Sequence, residues 1–423
     1  MGRPQHDMTT VAAVNDQSGD SMTTPTSRRN RWLVPVAGLG AMALLAGCAR
    51  NAPQDTWQPA GSNARKINNL QHWPFAIAGV VLVIVASVVV YSIFKFRDRG
   101  QAMPAQTHGK PALEIALTVL PALILIGIGI PTIRTVFQLA KTSDTQCIIN
   151  VTGQQWWWEY DYPVQSGCGA GIKEPIVTSG EFVIPAGENV LLRITSRDVI
   201  HSFWIPKLNG KRDAVPGRIQ TLRIEADHPG IYDGQCTEFC GLSHAYMRMD
   251  AVSLDAASFN TWTANQLKAY TAPTDAAGKA GESAFLANCS SCHQVNGILS
   301  SDGTPVIARP DLRVWSGAAP NLTNLMTRTT FAGGSFDLLT PSCRDNLRNA
   351  SPSDFSAKYL QGTSPQCLDA VQLREWLRNA PAKKPMYTTG NLSTTNGKTR
   401  GMPNLGLSEN TIDSIIAYLT ERK

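Results

Sequence analysis

The sequence predicts a multidomain chain: a two-helix transmembrane hairpin, then an all-β sandwich, then an all-α C-terminal domain. Three observations lead there. Two long apolar runs, Phe75 to Phe96 and Ile115 to Val136, lie early in the chain. From Cys147 to about Leu254 the composition shifts to short β-branched and aromatic runs punctuated by Gly and Pro. Behind a polar linker, a helix-like segment ends in Cys289-Ser290-Ser291-Cys292-His293. At 423 residues and 45.7 kDa the chain has room for two or three folded units. Its net charge of +6 is mild, and Lys and Arg are spread along it rather than gathered in the runs that follow a nucleic-acid backbone, so no nucleic-acid partner is expected. Nine cysteines are too few for a disulfide scaffold of this length.

Arg28, Arg29 and Arg31 precede the apolar stretch Leu33 to Leu45, and Leu45-Ala46-Gly47-Cys48 follows. This reads as an export signal ending in a lipoprotein processing site, with Cys48 as the lipidated first residue and Met22 as an alternative start. A short buried helix with an unrelated cysteine is the plainer alternative. Phe75 to Phe96 is nearly uncharged and has about the ~20 residues a bilayer-spanning helix needs. The run from Ile115 to Val136 contains Pro121 and Pro131, which neighbouring helices in a membrane can accommodate. The connecting loop sets Lys95, Arg97, Arg99 and Lys110 against Asp98, which places it on the cytoplasmic side and everything after Val136 outside the cell. That topology agrees with a lipid on Cys48 and permits oxidised cysteines and covalently attached haem.

Phe182-Val183-Ile184 before Pro185-Ala186-Gly187, and Val190 to Ile194, have strand texture. The last turn of this region, Gly234-Gln235-Cys236-Thr237-Glu238-Phe239-Cys240-Gly241-Leu242-Ser243-His244-Ala245-Tyr246-Met247, packs thiols, an imidazole and a thioether into one loop. Soft thiolate, imidazole and thioether donors favour copper or zinc over hard cations, and the thioether favours copper. His201, in Asp198-Val199-Ile200-His201-Ser202-Phe203-Trp204, ends a strand-like run from which a sandwich could deliver a second imidazole. Structural zinc or a disulfide are the alternatives for the cysteines, but neither uses Met247 or His201.

This loop resembles the copper A signature of cytochrome oxidase subunit II, and the likeness extends from the first span to about Leu254. The resemblance implies a cupredoxin-like sandwich holding dinuclear copper A. Cys236 and Cys240 would bridge the metals, His201 and His244 would each cap one, Met247 would be a weak axial ligand, and Glu238 would offer its backbone carbonyl. The Glu238 carboxylate would help hold magnesium or manganese shared with subunit I. Gln155-Trp156-Trp157-Trp158-Glu159-Tyr160 resembles the aromatic segment through which electrons arrive, with Trp156 as the surface residue facing the donor. On residue type alone, such a run is as readily core packing. Lys211 to Arg218 resembles the segment that packs on subunit I. Glu114 matches the acidic residue at the mouth of a proton channel in the partner, although from position alone it is equally a solvated helix-start carboxylate.

Cys-x-x-Cys-His is the attachment motif of c-type haem, with Cys289 and Cys292 forming the thioethers and His293 the proximal ligand. A thioredoxin-like redox pair is the alternative. The distal ligand should be a methionine late in the domain, from among Met326, Met386 and Met402. Met402 is preferred because Gly401-Met402-Pro403 stands just before Leu407-Ser408-Glu409 and the amphipathic stretch Ile412 to Leu419, as in class I cytochrome c; Met386 stays open. Ala319-Pro320-Asn321-Leu322 resembles that family's mid-domain loop near the haem. Disulfides Cys147–Cys168 and Cys343–Cys367 are compatible with an oxidising location.

The division is therefore 1–48 export signal and lipoprotein processing region, 49–73 extracytoplasmic segment, 74–140 transmembrane hairpin, 145–262 cupredoxin-like copper A domain, 263–279 linker and 280–423 cytochrome c domain. The implied protein lies in a bacterial plasma membrane beside oxidase subunits I and III. It takes electrons from a cytochrome donor, for instance a membrane cytochrome bc complex. Rivals are a copper-A nitric oxide reductase subunit, which the matches at Glu114 and Glu238 disfavour, nitrous oxide reductase, which lacks room for its propeller here, and a lipid-anchored metal-delivery protein.

Overall fold

The computed structural model describes residues 52–422 apart from 101, 102, 104, 107, 144, 146, 165, 170, 171, 298–318 and 387–399. The expected export signal and lipidated Cys48 fall outside the described residues.

Helices α1 (Ser62–Lys95) and α2 (Pro111–Leu139) are long and apolar enough to cross a membrane, with 18-residue windows of mean hydropathy 2.8 and 2.4. Their apolar side chains point outward, as expected of a surface that faces lipid. Helix α1 begins well ahead of the apolar run at Phe75, because its first turns are polar and dock on the sandwich rather than crossing anything. Asn63 Nδ2 donates to the Arg223 carbonyl (3.1 Å), Ser62 hydrogen-bonds Glu225, and Arg65 pairs with Asp227. A Cβ at Gly61 would lie 2.1 Å from the Glu225 carbonyl oxygen, so the chain enters the helix where only glycine fits.

The sandwich is built from β1 (Cys147–Gln154), β2 (Trp157–Tyr162), β3 (Ile176–Ser179), β4 (Glu181–Pro185), β5 (Val190–Ser196), β6 (His201–Trp204), β7 (Arg212–Ala214), β8 (Gln220–Ile224), β9 (Gly230–Cys236) and β10 (Arg248–Leu254). One five-stranded sheet runs β3-β2-β1-β5-β8 and the other β4-β10-β9-β6-β7. Alternating burial along β1 and β5 follows the period of two expected of a strand with one wet face. Trp158, Tyr160, Tyr162, Phe182 and Phe203 fill the space between the sheets. By contrast every residue of β4, and all of β10 but Arg248, is buried. Both faces of that sheet are covered, and the second cover is the C-terminal region.

That region comprises α3 (Ala256–Gln266), α4 (Ala276–Asn288), the short strands β11 (Thr330–Phe331) and β12 (Phe336–Asp337), then α5 (Pro341–Arg348), α6 (Pro352–Leu360), α7 (Ala370–Arg378), α8 (Ala380–Lys383) and α9 (Glu409–Thr420). Helices α4 and α9 cross closely because Gly281 presents no side chain: a Cβ there would sit 2.2 Å from the Ser414 carbonyl oxygen. Ile412, Ile415, Ile416 and Leu419 form the buried stripe of α9 at helical spacing, and Ser408 caps it by accepting from Thr411 N. The expected all-α region thus contains one β-hairpin, turned at Ala332-Gly333-Gly334, all of which have positive φ. Leu347, Phe355 and Tyr359 join the sandwich core, whereas Phe285, Leu325, Met326 and Ile412 belong to a second core around α4 and α9. Both disulfides are formed, Cys147–Cys168 within the sandwich and Cys343–Cys367 within the C-terminal region.

Candidate metal centre

Strand pairing decides which side chains meet. Phe203 of β6 lies opposite Cys236 at the end of β9, so His201, two residues back on the same face, points toward the loop that links β9 to β10. The loop closes on itself through Cys236 N to the Met247 carbonyl (2.9 Å) and His244 N to the Gly241 carbonyl (3.1 Å). Gly153 on β1 leaves room for the His201 ring, since a Cβ there would lie 3.0 Å from it.

The donor atoms converge. Cys236 Sγ is 3.8 Å from Cys240 Sγ, 3.9 Å from His201 Nδ1 and 3.3 Å from the Glu238 carbonyl oxygen. Cys240 Sγ is 3.5 Å from His244 Nδ1 and 3.8 Å from Met247 Sδ. The His201, Cys236 and Cys240 ligand atoms all lie within 4.8 Å of one another. His201, Cys236, Cys240 and Met247 are buried, His244 is half-buried and the Glu238 side chain is exposed. Cys236 and Cys240 remain thiols in a chain whose sandwich cysteines Cys147 and Cys168 are paired. Adjacent thiols, two imidazoles, a thioether and a carbonyl suit copper, and the spacing suits ligands around ions rather than a sulfur–sulfur bond.

The surroundings hold these donors in place. Asp198 Oδ1 accepts from His201 Nε2 (2.9 Å), which leaves Nδ1 facing the sulfurs, a metal-facing orientation set by a carboxylate behind the ring. Asp198 itself accepts from Gln155 N and Val199 N, both at 2.8 Å, and faces Arg400 at 3.6 Å. Burial works against the Asp198 charge, but the His201 hydrogen bond and these amides outweigh it and hold the carboxyl below its ordinary value. For His201, burial pulls downward while Asp198 and Cys236 lift its pKa above the usual one. Contact between the two sulfurs lowers the Cys236 pKa to about 4 and raises that of Cys240.

Trp156 departs from expectation. It is 2% exposed rather than a surface residue, because residues of the C-terminal region lie over it. Its Nε1 donates to the Cys240 carbonyl (3.1 Å), which also accepts from Gln155 Nε2 (2.7 Å), so the aromatic segment braces the thiol loop. Glu114 stands exposed in the first turn of α2, about 37 Å along the helix from its far end. The structure does not bring it to this cluster.

Farther along, Cys289 caps α4 and is buried, while Cys292 is exposed. Burial lowers the His293 pKa against the lift from the Pro320 carbonyl, 2.7 Å from Nδ1. With Nδ1 held by that carbonyl, a neutral ring keeps the Nε2 lone pair for a ligand role, which suits iron ligation. Met402 is half-buried, and its backbone N–H donates to Met386 Sδ (3.3 Å), so these candidate ligands are neighbours; Met326 is packed inside the second core. Sequence reasoning gave no role to Asp198, Gln155, Lys384 or Arg400. Asp198 had a local signal, three residues before a candidate ligand, but Lys384 and Arg400 had none.

Together the fold and the donor set define a membrane-associated β-sandwich whose buried thiol, imidazole and thioether cluster suits copper. Residues 52–135 match the family model "Cytochrome C oxidase subunit II, transmembrane domain", and residues 147–253 match "Cytochrome C oxidase subunit II, periplasmic domain". Cytochrome c oxidase subunit 2 of Alkalihalophilus pseudofirmus is 33% identical over 273 residues, covering 61% of this chain and 76% of that one. The corresponding protein of Bacillus sp. strain PS3 is 34% identical over 313 residues, 70% of this chain and 82% of its own. The crystal structure of the periplasmic domain of subunit II of cytochrome oxidase from Bradyrhizobium japonicum aligns at 27% identity and TM-score 0.26, covering 30% of this chain and 96% of that one. The chain belongs to the cytochrome c oxidase subunit II family, and the periplasmic domain of that family implies a copper A site.

Proposed function

We propose that this chain is the electron-accepting subunit of a haem-copper terminal oxidase. Electrons from a cytochrome donor, such as a membrane cytochrome bc complex, would arrive at a C-terminal cytochrome c domain, pass to the copper-holding sandwich and leave for subunit I. Oxygen reduction to water and proton translocation would take place there, with subunit III in the same complex. The observation behind this reading is the convergence of Cys236, Cys240, His201, His244, Met247 and the Glu238 carbonyl on one buried point.

Copper bound at that point would supply rapid one-electron exchange with little rearrangement. The residues of the chain set the conditions for it. Asp198 fixes the His201 ring, Gln155 and Trp156 hold the Cys240 carbonyl, and the buried Met247 excludes water from one side. In this reading Cys289 and Cys292 bind haem c covalently, His293 is the proximal ligand, and Met402 is the distal one with Met386 as the alternative. The exposed Glu238 carboxylate is free to reach magnesium or manganese at the border with subunit I, and Glu114 serves the proton path on the opposite side. A lipid on Cys48 would add to the anchoring by α1 and α2.

The haem assignment has its own test. Protein purified from its membrane should show the absorption bands of a c-type haem that survives acid–acetone extraction, and Cys289→Ala with Cys292→Ala should release it. Extraction of all haem from the unsubstituted chain would contradict the assignment.

A further inference from the structure

The face of the sandwich that holds Trp156 is sealed by the chain's own C-terminal region, and one lysine sits in the middle of the seal. Lys384 follows α8, is 3% exposed, and lies 228 residues beyond Trp156. Its Nζ is 2.8 Å from the Trp156 carbonyl, 3.3 Å from the Tyr246 carbonyl, 2.7 Å from the Ala332 carbonyl and 3.3 Å from Ser335 Oγ. Those partners come from three places: the aromatic segment, the thiol loop and the β11–β12 turn. Burial lowers the Lys384 pKa to about 7, and an amine taken out of water is tolerated only where its N–H groups find acceptors, which these four oxygens supply.

The turn it grips is shaped for the purpose. Gly333 and Gly334 both have positive φ, and a Cβ on Gly333 would lie 2.7 Å from the Trp156 carbonyl oxygen. On Gly334 a Cβ would meet the Arg248 carbonyl carbon at 2.9 Å, and Arg248 N donates to the Gly333 carbonyl (3.1 Å). Next along the chain, the Pro385 carbonyl accepts from Ser243 in the thiol loop. Backbone therefore meets backbone across the seam, with the buried Lys384 in its middle.

We propose that Lys384 is a positioning residue that locks the C-terminal region onto the Trp156 face, fixing the separation between the haem-attachment segment and the thiol loop. It touches no ligand atom and acts through the Trp156 and Tyr246 carbonyls. The consequence for electron transfer rests on the function proposed above; the seam itself does not.

The test uses the full chain within its complex. Lys384→Met keeps the length of the side chain and removes its donors. Hydrogen exchange at the Arg248 amide should accelerate by on the order of 100-fold, since the carbonyls that Lys384 satisfies would be left buried without a donor. Internal electron transfer from the C-terminal haem to copper should slow by as much as about 100-fold, the loss that an ångström of misplacement brings to a positioned reaction. Reduction of copper by a small diffusible reductant and its near-infrared absorption should stay as they were, which a general loss of structure would not allow. Ser335→Ala, which removes one acceptor of Lys384 together with the serine's own hydrogen bond to the Tyr246 carbonyl but leaves the lysine's three carbonyl partners, should shift exchange at Arg248 in the same direction by less. Unchanged exchange at Arg248 in Lys384→Met overturns the proposal; should that variant not accumulate, unchanged exchange in Ser335→Ala does so. Exchange needs neither cofactor, so a chain without copper or haem would sink the functional reading and still leave Lys384 to be judged.

Discussion

Cys236→Ala should strip copper from the chain, erase its near-infrared absorption and abolish oxidase turnover, while covalent haem and the Cys147–Cys168 disulfide stay. The reason is geometric. Cys236 Sγ lies 3.3 Å from the Glu238 carbonyl oxygen, 3.8 Å from Cys240 Sγ and 3.9 Å from His201 Nδ1, so its loss would leave no pair of thiolates to hold two ions. A thiolate also contributes charge that alanine cannot replace, and neither imidazole offers a substitute. Because Cys236 is only 4% exposed and its β9 neighbours pair regularly with β10, the strand should persist without it. Elemental analysis beside a visible spectrum checks this. A variant that keeps both copper and turnover would remove Cys236 from the centre.

Glu181→Ala should destabilise the chain by about 3–5 kcal/mol, the cost of removing one member of a buried, hydrogen-bonded charge group. Glu181 starts β4, yet its partners lie in the C-terminal region. Thr329 donates to Oε2 through N (3.0 Å) and Oγ1 (2.5 Å), and Tyr359 donates to Oε1 (2.5 Å). Arg328, also buried, adds its charge and bonds Ser179 on β3 as well as the Asn321 and Thr323 carbonyls. Burial raises the Glu181 pKa above its ordinary value despite these partners, so the carboxyl is kept inside by its contacts and not by solvation. Alanine would leave two hydroxyls and an amide without their acceptor and remove the charge that Arg328 feels, whereas Glu181→Gln should cost less because it still accepts from Thr329. Thermal unfolding followed by tryptophan fluorescence measures both. A loss below about 1 kcal/mol for alanine would mean that the two regions are not joined at this point.

Much of the centre was legible in the sequence because its parts are local. Cys236, Cys240, His244 and Met247 share one turn, and their donor types alone exclude hard cations. His201 was harder, since only the pairing of β6 with β9 brings it across. The membrane helices were legible as apolar runs, but α1 begins earlier, because hydropathy does not register polar turns that dock on protein. The exposure of Trp156 was misjudged for a related reason. Residue type and local pattern place aromatic rings at a surface or in a core with equal ease, and the covering residues, Lys384 and the Gly333-Gly334 turn, lie far along the chain. The β11–β12 hairpin was missed because two-residue strands leave no period to detect. Positive φ at Gly333 and Gly334 is a property of the tertiary contact, which those glycines permit without announcing it.

In the proposed function the sandwich would hold a pair of coppers through Cys236 and Cys240. The most direct measurement is the copper content of the purified chain, detached from its oxidase partner so that no other copper is present. Two coppers per chain, with a near-infrared band lost in Cys240→Ser, is the predicted result; one zinc or no metal per fully folded chain would contradict it.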